Sequence, residues 1–118
     1  MFFSGLYKSF LDAINGLKTV WREERNFRIE TTLSVFVLSF AAVFGYSLFE
    51  WALVIIAIVI MLSAEIVNTA LEDLCNEVEP GYDVGIKKIK DAMASFALVS
   101  SFGAFILVSI SLISHFLI

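Results

Sequence analysis

Three side chains able to do polar chemistry share one stretch of an otherwise apolar segment: Glu65, Asn68 and Glu72. The run 51–62 just before them carries no charge at all. On an α-helix, with 3.6 residues per turn, Asn68 and Glu72 fall within roughly 60° of Glu65, and Asn76 extends the stripe. Glu65 and Glu72 then stand about 10 Å apart along the helix axis. An acid costs roughly 2.5–3.5 kcal/mol at the centre of a bilayer and less near its surface. A sequence that keeps such a group needs a partner or a task for it. The stripe would join an aqueous reactant at Glu72 to a lipid group at Glu65. Two other readings stay open on the residues alone. Glu65 and Asn68 could hydrogen-bond between helices, at about 0.6 kcal/mol per bond, or they could mark a proton or ion pathway.

The elements that must hold these residues follow from composition and spacing. The chain has 118 residues, enough for a single domain over 1–118. It is 59% apolar with twelve Phe and a mean hydropathy of +0.89, more than a soluble core of this size can bury. An all-α integral membrane protein is expected, with three transmembrane helices at about 31–49, 51–74 and 92–118. Residues 2–27 precede them as an amphipathic interfacial helix: Leu6, Phe10, Ile14, Leu17, Val20 and Trp21 recur at spacings of three and four, with polar residues on the other faces. Pro80 and Gly81 mark the end of the second long helix. The residues Ala94, Ser95, Ala97, Ser100, Ser101 and Gly103 form a small-residue face suited to close helix packing.

Position matters more than the net charge of −4. The basic residues fall in two groups: Lys8, Lys18, Arg22, Arg25 and Arg28, then Lys87, Lys88 and Lys90. The turn at 46–50 has none. The positive-inside rule puts both groups, and the N-terminus, in the cytoplasm and the C-terminus outside. No cleavable signal peptide is expected, and no nucleic-acid partner.

More carboxylates belong at the same cytoplasmic depth. Glu24 and Glu30 precede the first span, and Asp91 follows Lys90 at the head of the third. Such a cluster suits Mg²⁺, which takes one or two carboxylates plus phosphate oxygens, and the neighbouring Lys and Arg suit a polyphosphate. The sequence contains neither Walker-type phosphate loop, dinucleotide fingerprint nor His-Glu-x-x-His zinc motif. His115, the single histidine, reads as an interface residue, and Cys75 as a packing residue that cannot form an intrachain disulfide.

These residues bring a known family into view. The chain resembles the small three-span lipid kinases of bacteria, the diacylglycerol kinase and undecaprenol kinase family. The likeness rests on Gly16-Leu17-Lys18-x-x-Trp21-x-x-Glu24-x-x-Phe27-Arg28, on Glu65-Ile66-x-Asn68-Thr69-Ala70-Leu71-Glu72, on Lys87-Lys88-Ile89-Lys90-Asp91-Ala92, and on the order of the spans. The resemblance implies ATP-dependent phosphorylation of a lipid hydroxyl in the bacterial cytoplasmic (inner) membrane by a homotrimer whose sites are shared between subunits. It implies Glu65 as the general base, with Asn68 orienting the reacting groups. Glu24 and Glu72 would hold Mg²⁺ on ATP, and Lys90, Asp91 and Asp12 would contact the nucleotide. Lys8, Trp21, Arg28 and Glu30, with Glu65, would form the lipid site. Asn76 stands where many relatives carry Asp. The segments 23–28, 49–51 and 90–92 look more like the undecaprenol branch, whereas Glu30 looks more like the diacylglycerol branch. Undecaprenol is the expected substrate, with diacylglycerol as the alternative. From outside this class, a small membrane assembly factor or an oligomeric ion-conducting protein remains a rival.

Overall fold

A computed structural model describes residues 2–118. Its elements are four α-helices: α1 Phe2–Glu23, α2 Arg25–Val43, α3 Leu48–Val78 and α4 Val84–Phe116. The helices α2, α3 and α4 are each long and apolar enough to cross a membrane. Most of their apolar surface faces outward, which in water would be prohibitive and in lipid is the normal solvent contact. The all-α membrane architecture expected from the sequence is the observed one, with α1 the most amphipathic helix of the four.

Capping chemistry, rather than hydropathy, sets the helix ends. Glu24 breaks the chain between α1 and α2: its backbone is extended at φ −112°, ψ 109°, and its side chain accepts from the Asn26 N–H at 3.3 Å. Arg28 Nη1 donates to the carbonyls of Trp21 at 2.7 Å and Arg22 at 3.0 Å, so it satisfies the open end of α1. The helix expected over 2–27 therefore stops at Glu23, and the helix that carries the first expected span starts at Arg25 rather than at 31.

The same logic moves the next turn forward. Gly45 takes φ +66°, which a glycine adopts at little cost. The Tyr46 N–H donates to the Ala41 carbonyl at 3.0 Å, closing a Schellman motif. Ser47 then opens α3 with a capping box: its hydroxyl accepts from Glu50 N–H at 3.2 Å, and Glu50 accepts from Ser47 N–H at 2.9 Å. The first span accordingly ends at Val43, not at 49, and Glu50 lies inside α3. Beneath this turn Ala41, Tyr46 and Val54 form a small buried cluster. His115 Nδ1 sits 2.8 Å from Glu50 Oε1 and fastens the end of α4 to it.

At the opposite end α3 runs to Val78, Pro80 and Gly81 lie in the break, and Asp83 caps α4 by accepting from the Ile86 N–H at 3.0 Å. The connection between the second and third expected spans, which end at 74 and begin at 92, is thus only the stretch 79–83 between two helices. With 31 and 33 residues, α3 and α4 would be about 46 and 50 Å long, against a hydrocarbon core of about 30 Å. Each has turns to spare beyond the apolar layer.

The helix α3 is central. It packs most extensively on α4, more lightly on α2, and α1 folds back over α2 and α3. Small side chains allow the close approach: Ala57 and Ala64 on α3, and Ala97, Ser100, Ala104 and Ser111 on α4, are all buried. Of the small-residue face read from the sequence, Ala97 and Ser100 fall in this seam and Ser101 is half-buried, while Ala94, Ser95 and Gly103 are exposed.

Candidate functional site

A glutamate on the central helix can be shielded only if its neighbours close round it. Glu65 is 3% exposed, in the seam where α3 meets its partners. Thr69, one turn on and also buried, donates its hydroxyl to the Glu65 carbonyl at 2.9 Å. From α2, the Glu30 carboxyl comes within hydrogen-bonding reach of the Glu65 carboxyl. From α4, the Ser101 hydroxyl donates to Glu30 Oε1 at 3.0 Å. Glu24, at the break between α1 and α2, is near enough to act on both carboxyls through its charge. Four places in the chain thus meet around one buried acid.

This cluster is not internally satisfied. Oε2 of Glu30 and Oε2 of Glu65 are both buried without a hydrogen-bond partner. An unpaired buried polar group costs about 1–3 kcal/mol, and more when charged. Two such oxygens on neighbouring carboxyls mark a place where a hydroxyl from outside the chain would be welcome.

Along α3 the stripe opens toward water. Asn68 is half-buried and Glu72 is exposed. Near the same end Lys90 Nζ donates to Asn76 Oδ1 at 2.6 Å. Asp91 pairs with Lys87 at 2.6 Å, both side chains being more than half exposed. Glu23 reaches across from α1 to Asp73; the hydrogen bond they share, aided by partial desolvation, holds the Glu23 carboxyl above its ordinary value of 4.5. Among the described residues no three His, Cys, Asp or Glu side chains converge as a ready-made metal site.

Between α1 and the spans lies a groove of about 830 Å³, walled by Trp21, Phe27 and Leu62 with Lys18 and Arg22 also on its lining. Leu62 is one turn before Glu65 on α3. The Thr31 hydroxyl, on the same lining, is buried and unpartnered. Apolar walls with a few cations and one spare hydroxyl suit an amphiphile. Arg28 and Trp21 border a second, shallower depression on the other side of Trp21.

The structure therefore gathers Glu24, Glu30 and Glu65, and leaves Asn68 and Glu72 along the helix toward water. Lys90 and Asp91 belong to the projecting end of the α3–α4 pair. Lys8 and Asp12 stand apart: both are exposed on α1, and Lys8 is about 20 Å along that helix from Trp21. Three residues were given no such role by sequence reasoning. Lys18 and Arg22 appeared there as charges, and Ser101 as a small packing residue. The signal for Ser101, a hydroxyl opposite a buried acid, depends on the register between α2 and α4, which no one-helix pattern contains.

Residues 12–112 match the profile of a family described as prokaryotic diacylglycerol kinase. The chain belongs to that family. The match takes in Glu24, Glu30, Glu65, Glu72 and Ser101 alike. Among curated proteins, the diacylglycerol kinase of Helicobacter pylori strain J99 is 30% identical over 105 residues, spanning 88% of this chain and 82% of that protein. The undecaprenol kinase of Bacillus subtilis strain 168 is 32% identical over 98 residues, spanning 80% of each. As a member of the prokaryotic diacylglycerol kinase family, this chain is a lipid kinase of the membrane, taking phosphate from ATP. The assembly-factor and ion-conduction readings give way to that membership. Relatives with two different lipid substrates stand at nearly equal identity, so likeness alone does not choose the lipid.

Proposed function

We propose that this kinase transfers the γ-phosphate of ATP to the hydroxyl of undecaprenol, giving undecaprenyl phosphate. The observation that carries the chemistry is the buried carboxyl of Glu65, whose Oε2 has no partner, two turns from exposed Glu72 on the same helix face. A buried acid with a free oxygen supports work on a lipid alcohol away from bulk water. Glu65 takes the proton as the alcohol oxygen attacks phosphorus. Asn68 orients the reacting groups. Phosphoryl transfer asks the protein chiefly for positioning and charge neutralisation, so a small helical shell suffices.

Half-buried Glu24 and exposed Glu72 are hard oxygen donors of the kind Mg²⁺ takes, and a nucleotide's own phosphates would supply the remaining anionic oxygens. A preformed protein cage is not needed. When bound, Mg²⁺ neutralises charge on the β- and γ-phosphates. Lys90 and Asp91 reach the nucleotide from the projecting end of α4, and Asp12 from α1. Lys8, Trp21, Arg28 and Glu30 hold the lipid end.

Undecaprenol is preferred on segments 23–28, 49–51 and 90–92. Glu30 is the observation that favours diacylglycerol, and phosphatidic acid is the alternative product. The basic clusters favour an N-terminus and a 79–83 turn in the cytoplasm, with the chain in the inner membrane and its C-terminus outside. Lys8 and Asp12 are exposed on α1; in a homotrimer whose copies share sites, they would serve a neighbouring copy.

The test is purified protein in detergent with γ-³²P-labelled Mg-ATP, offered undecaprenol and diacylglycerol in parallel. Label is expected mainly in undecaprenyl phosphate. Label confined to phosphatidic acid would reverse the substrate, and label in neither would end the proposal. Excess chelator should stop turnover; turnover that persists would strip Glu24 and Glu72 of their metal role.

A further inference from the structure

The hydroxyl of Ser101 turns away from its own helix. Ser95, Ser109 and Ser111 each return their hydroxyls to a carbonyl of their own helix, at 3.0, 2.8 and 2.6 Å. Ser101 instead donates to Glu30 Oε1 on α2, at 3.0 Å. The backbones of α2 and α4 do not come into contact, and the two helices also meet through the rings of Phe40 and Phe116 near their other ends. The bond therefore ties two helices together at the level where Glu65 is buried.

Its effect on Glu30 is directional. A carboxyl at the end of a three-bond side chain can turn toward several partners, and near Glu30 lie the Glu24 charge and the Glu65 carboxyl. Fixing Oε1 on Ser101 leaves Oε2 buried and unpartnered, in the same cluster as the unpartnered Oε2 of Glu65. Release of Oε1 would free Glu30 to rotate, and with it the wall against which Glu65 is held.

We infer that Ser101 is a positioning residue for phosphoryl transfer, acting through Glu30 to hold the Glu65 carboxyl in its productive orientation. This rests on the reading of Glu65 as the base. Ser101 touches neither lipid nor nucleotide, and it acts through Glu30, which stands at the lipid end, so its loss shows in turnover while KM for Mg-ATP stands. A hydrogen bond to a charged group is among the stronger ones, and its removal at this point predicts a roughly tenfold fall in kcat.

The experiment compares the full-length wild-type chain with Ser101→Ala, Ser101→Thr and Ser109→Ala in detergent. The readouts are kcat, KM for Mg-ATP and for the lipid, and thermal stability. Ser101→Ala is expected to lower kcat roughly tenfold with KM for Mg-ATP held and only a small fall in melting temperature. Ser101→Thr keeps the hydroxyl and is expected to restore most of the rate. Ser109→Ala, a hydroxyl loss two turns along the same helix, is expected to leave the rate alone. The assignment falls if Ser101→Ala keeps full kcat, if it raises KM while kcat stands, or if Ala and Thr fail alike. It also falls if Ser109→Ala costs as much. A wild-type chain that labels neither lipid overturns the kinase chemistry of Glu65 and takes the Ser101 role with it; an active wild type with an indifferent Ser101→Ala overturns the Ser101 role alone.

Discussion

Replacing Glu65 by Gln separates chemistry from packing. The two side chains have nearly the same shape, so the seam around the position, where Glu65 is 3% exposed, stays filled. What changes is the ability to take a proton. A positioned general base contributes typically 10²–10⁴-fold, about 2.7–5.4 kcal/mol at 1.36 kcal/mol per decade. Stability should move the other way or not at all. The Gln amide can donate to Glu30 Oε2, which has no partner now, and a hydrogen bond to a charged acceptor is worth about 1.5–3 kcal/mol. Glu65→Gln is therefore expected to lose at least a hundredfold in kcat while KM for Mg-ATP holds and the melting temperature in detergent stays level or rises. Glu65→Asp is the companion variant. It keeps the acid but draws it back by one methylene, and a misplacement of about 1 Å can cost about a hundredfold. The assay is the initial rate of lipid labelling at saturating Mg-ATP, with circular dichroism and thermal melting on the same samples. Retention of more than a tenth of wild-type kcat by Glu65→Gln would refute the assignment, because no base is then being removed. A large fall in melting temperature would refute it differently, by showing that the acid is a packing group.

Three further outcomes follow from groups outside the buried cluster. Ser47→Ala removes the capping box of α3 at a cost of about 1 kcal/mol; the melting temperature should fall and kcat should not, since Ser47 is about 27 Å along the helix from Glu65. A loss of activity without loss of stability would contradict this. Glu23 holds its proton above the ordinary value of 4.5 because it shares a hydrogen bond with Asp73, so this tie between α1 and α3 is fully present below pH 4.5 and is lost as pH rises through the raised value of Glu23. Trp21 fluorescence should report that loosening in the wild type and not in Glu23→Gln; the same titration in both would remove Glu23 as its cause. Asn76→Asp turns the 2.6 Å contact with Lys90 into an ion pair. At an exposed site the gain is at most about 1 kcal/mol. If Lys90 serves the nucleotide, a tighter tether should raise KM for Mg-ATP by up to about fivefold with kcat unchanged; a lower KM would instead point to metal binding at position 76.

What the sequence disclosed, and what it withheld, divides along one physical line. Properties of a single helix were legible. Hydropathy gave three spans and periodicity gave α1 as amphipathic, because both report on which side of one helix meets which solvent. The alignment of Glu65, Asn68 and Glu72 was legible for the same reason, since helix geometry fixes their angles without reference to anything else. Helix ends were read less well, although the signals were present. Ser47-Leu48-Phe49-Glu50 is a capping box in plain spelling, but a hydropathy window runs through it and assigns Phe49 to the wrong helix. Likewise Glu24 opens α2 by a local hydrogen bond within a charged stretch that hydropathy cannot subdivide.

Relations between helices were not legible at all. Nothing in the spacing of residues 30, 65 and 101 says that they meet, because that depends on how far α2 and α4 slide along α3. Small buried residues, Ala57 and Ala64 on α3 and Ala97, Ser100 and Ala104 on α4, allow those two helices to approach closely, and a shift of one helical turn, about 5.4 Å, would carry Ser101 out of reach of Glu30. A bundle that must bury an acid in lipid has few ways to tolerate such a slip, since each buried oxygen left without its intended neighbour adds to the cost. The three residues of the proposed site would therefore also select the register of the helices that carry them, so that one hydroxyl and two carboxyls would couple the proposed chemistry to packing.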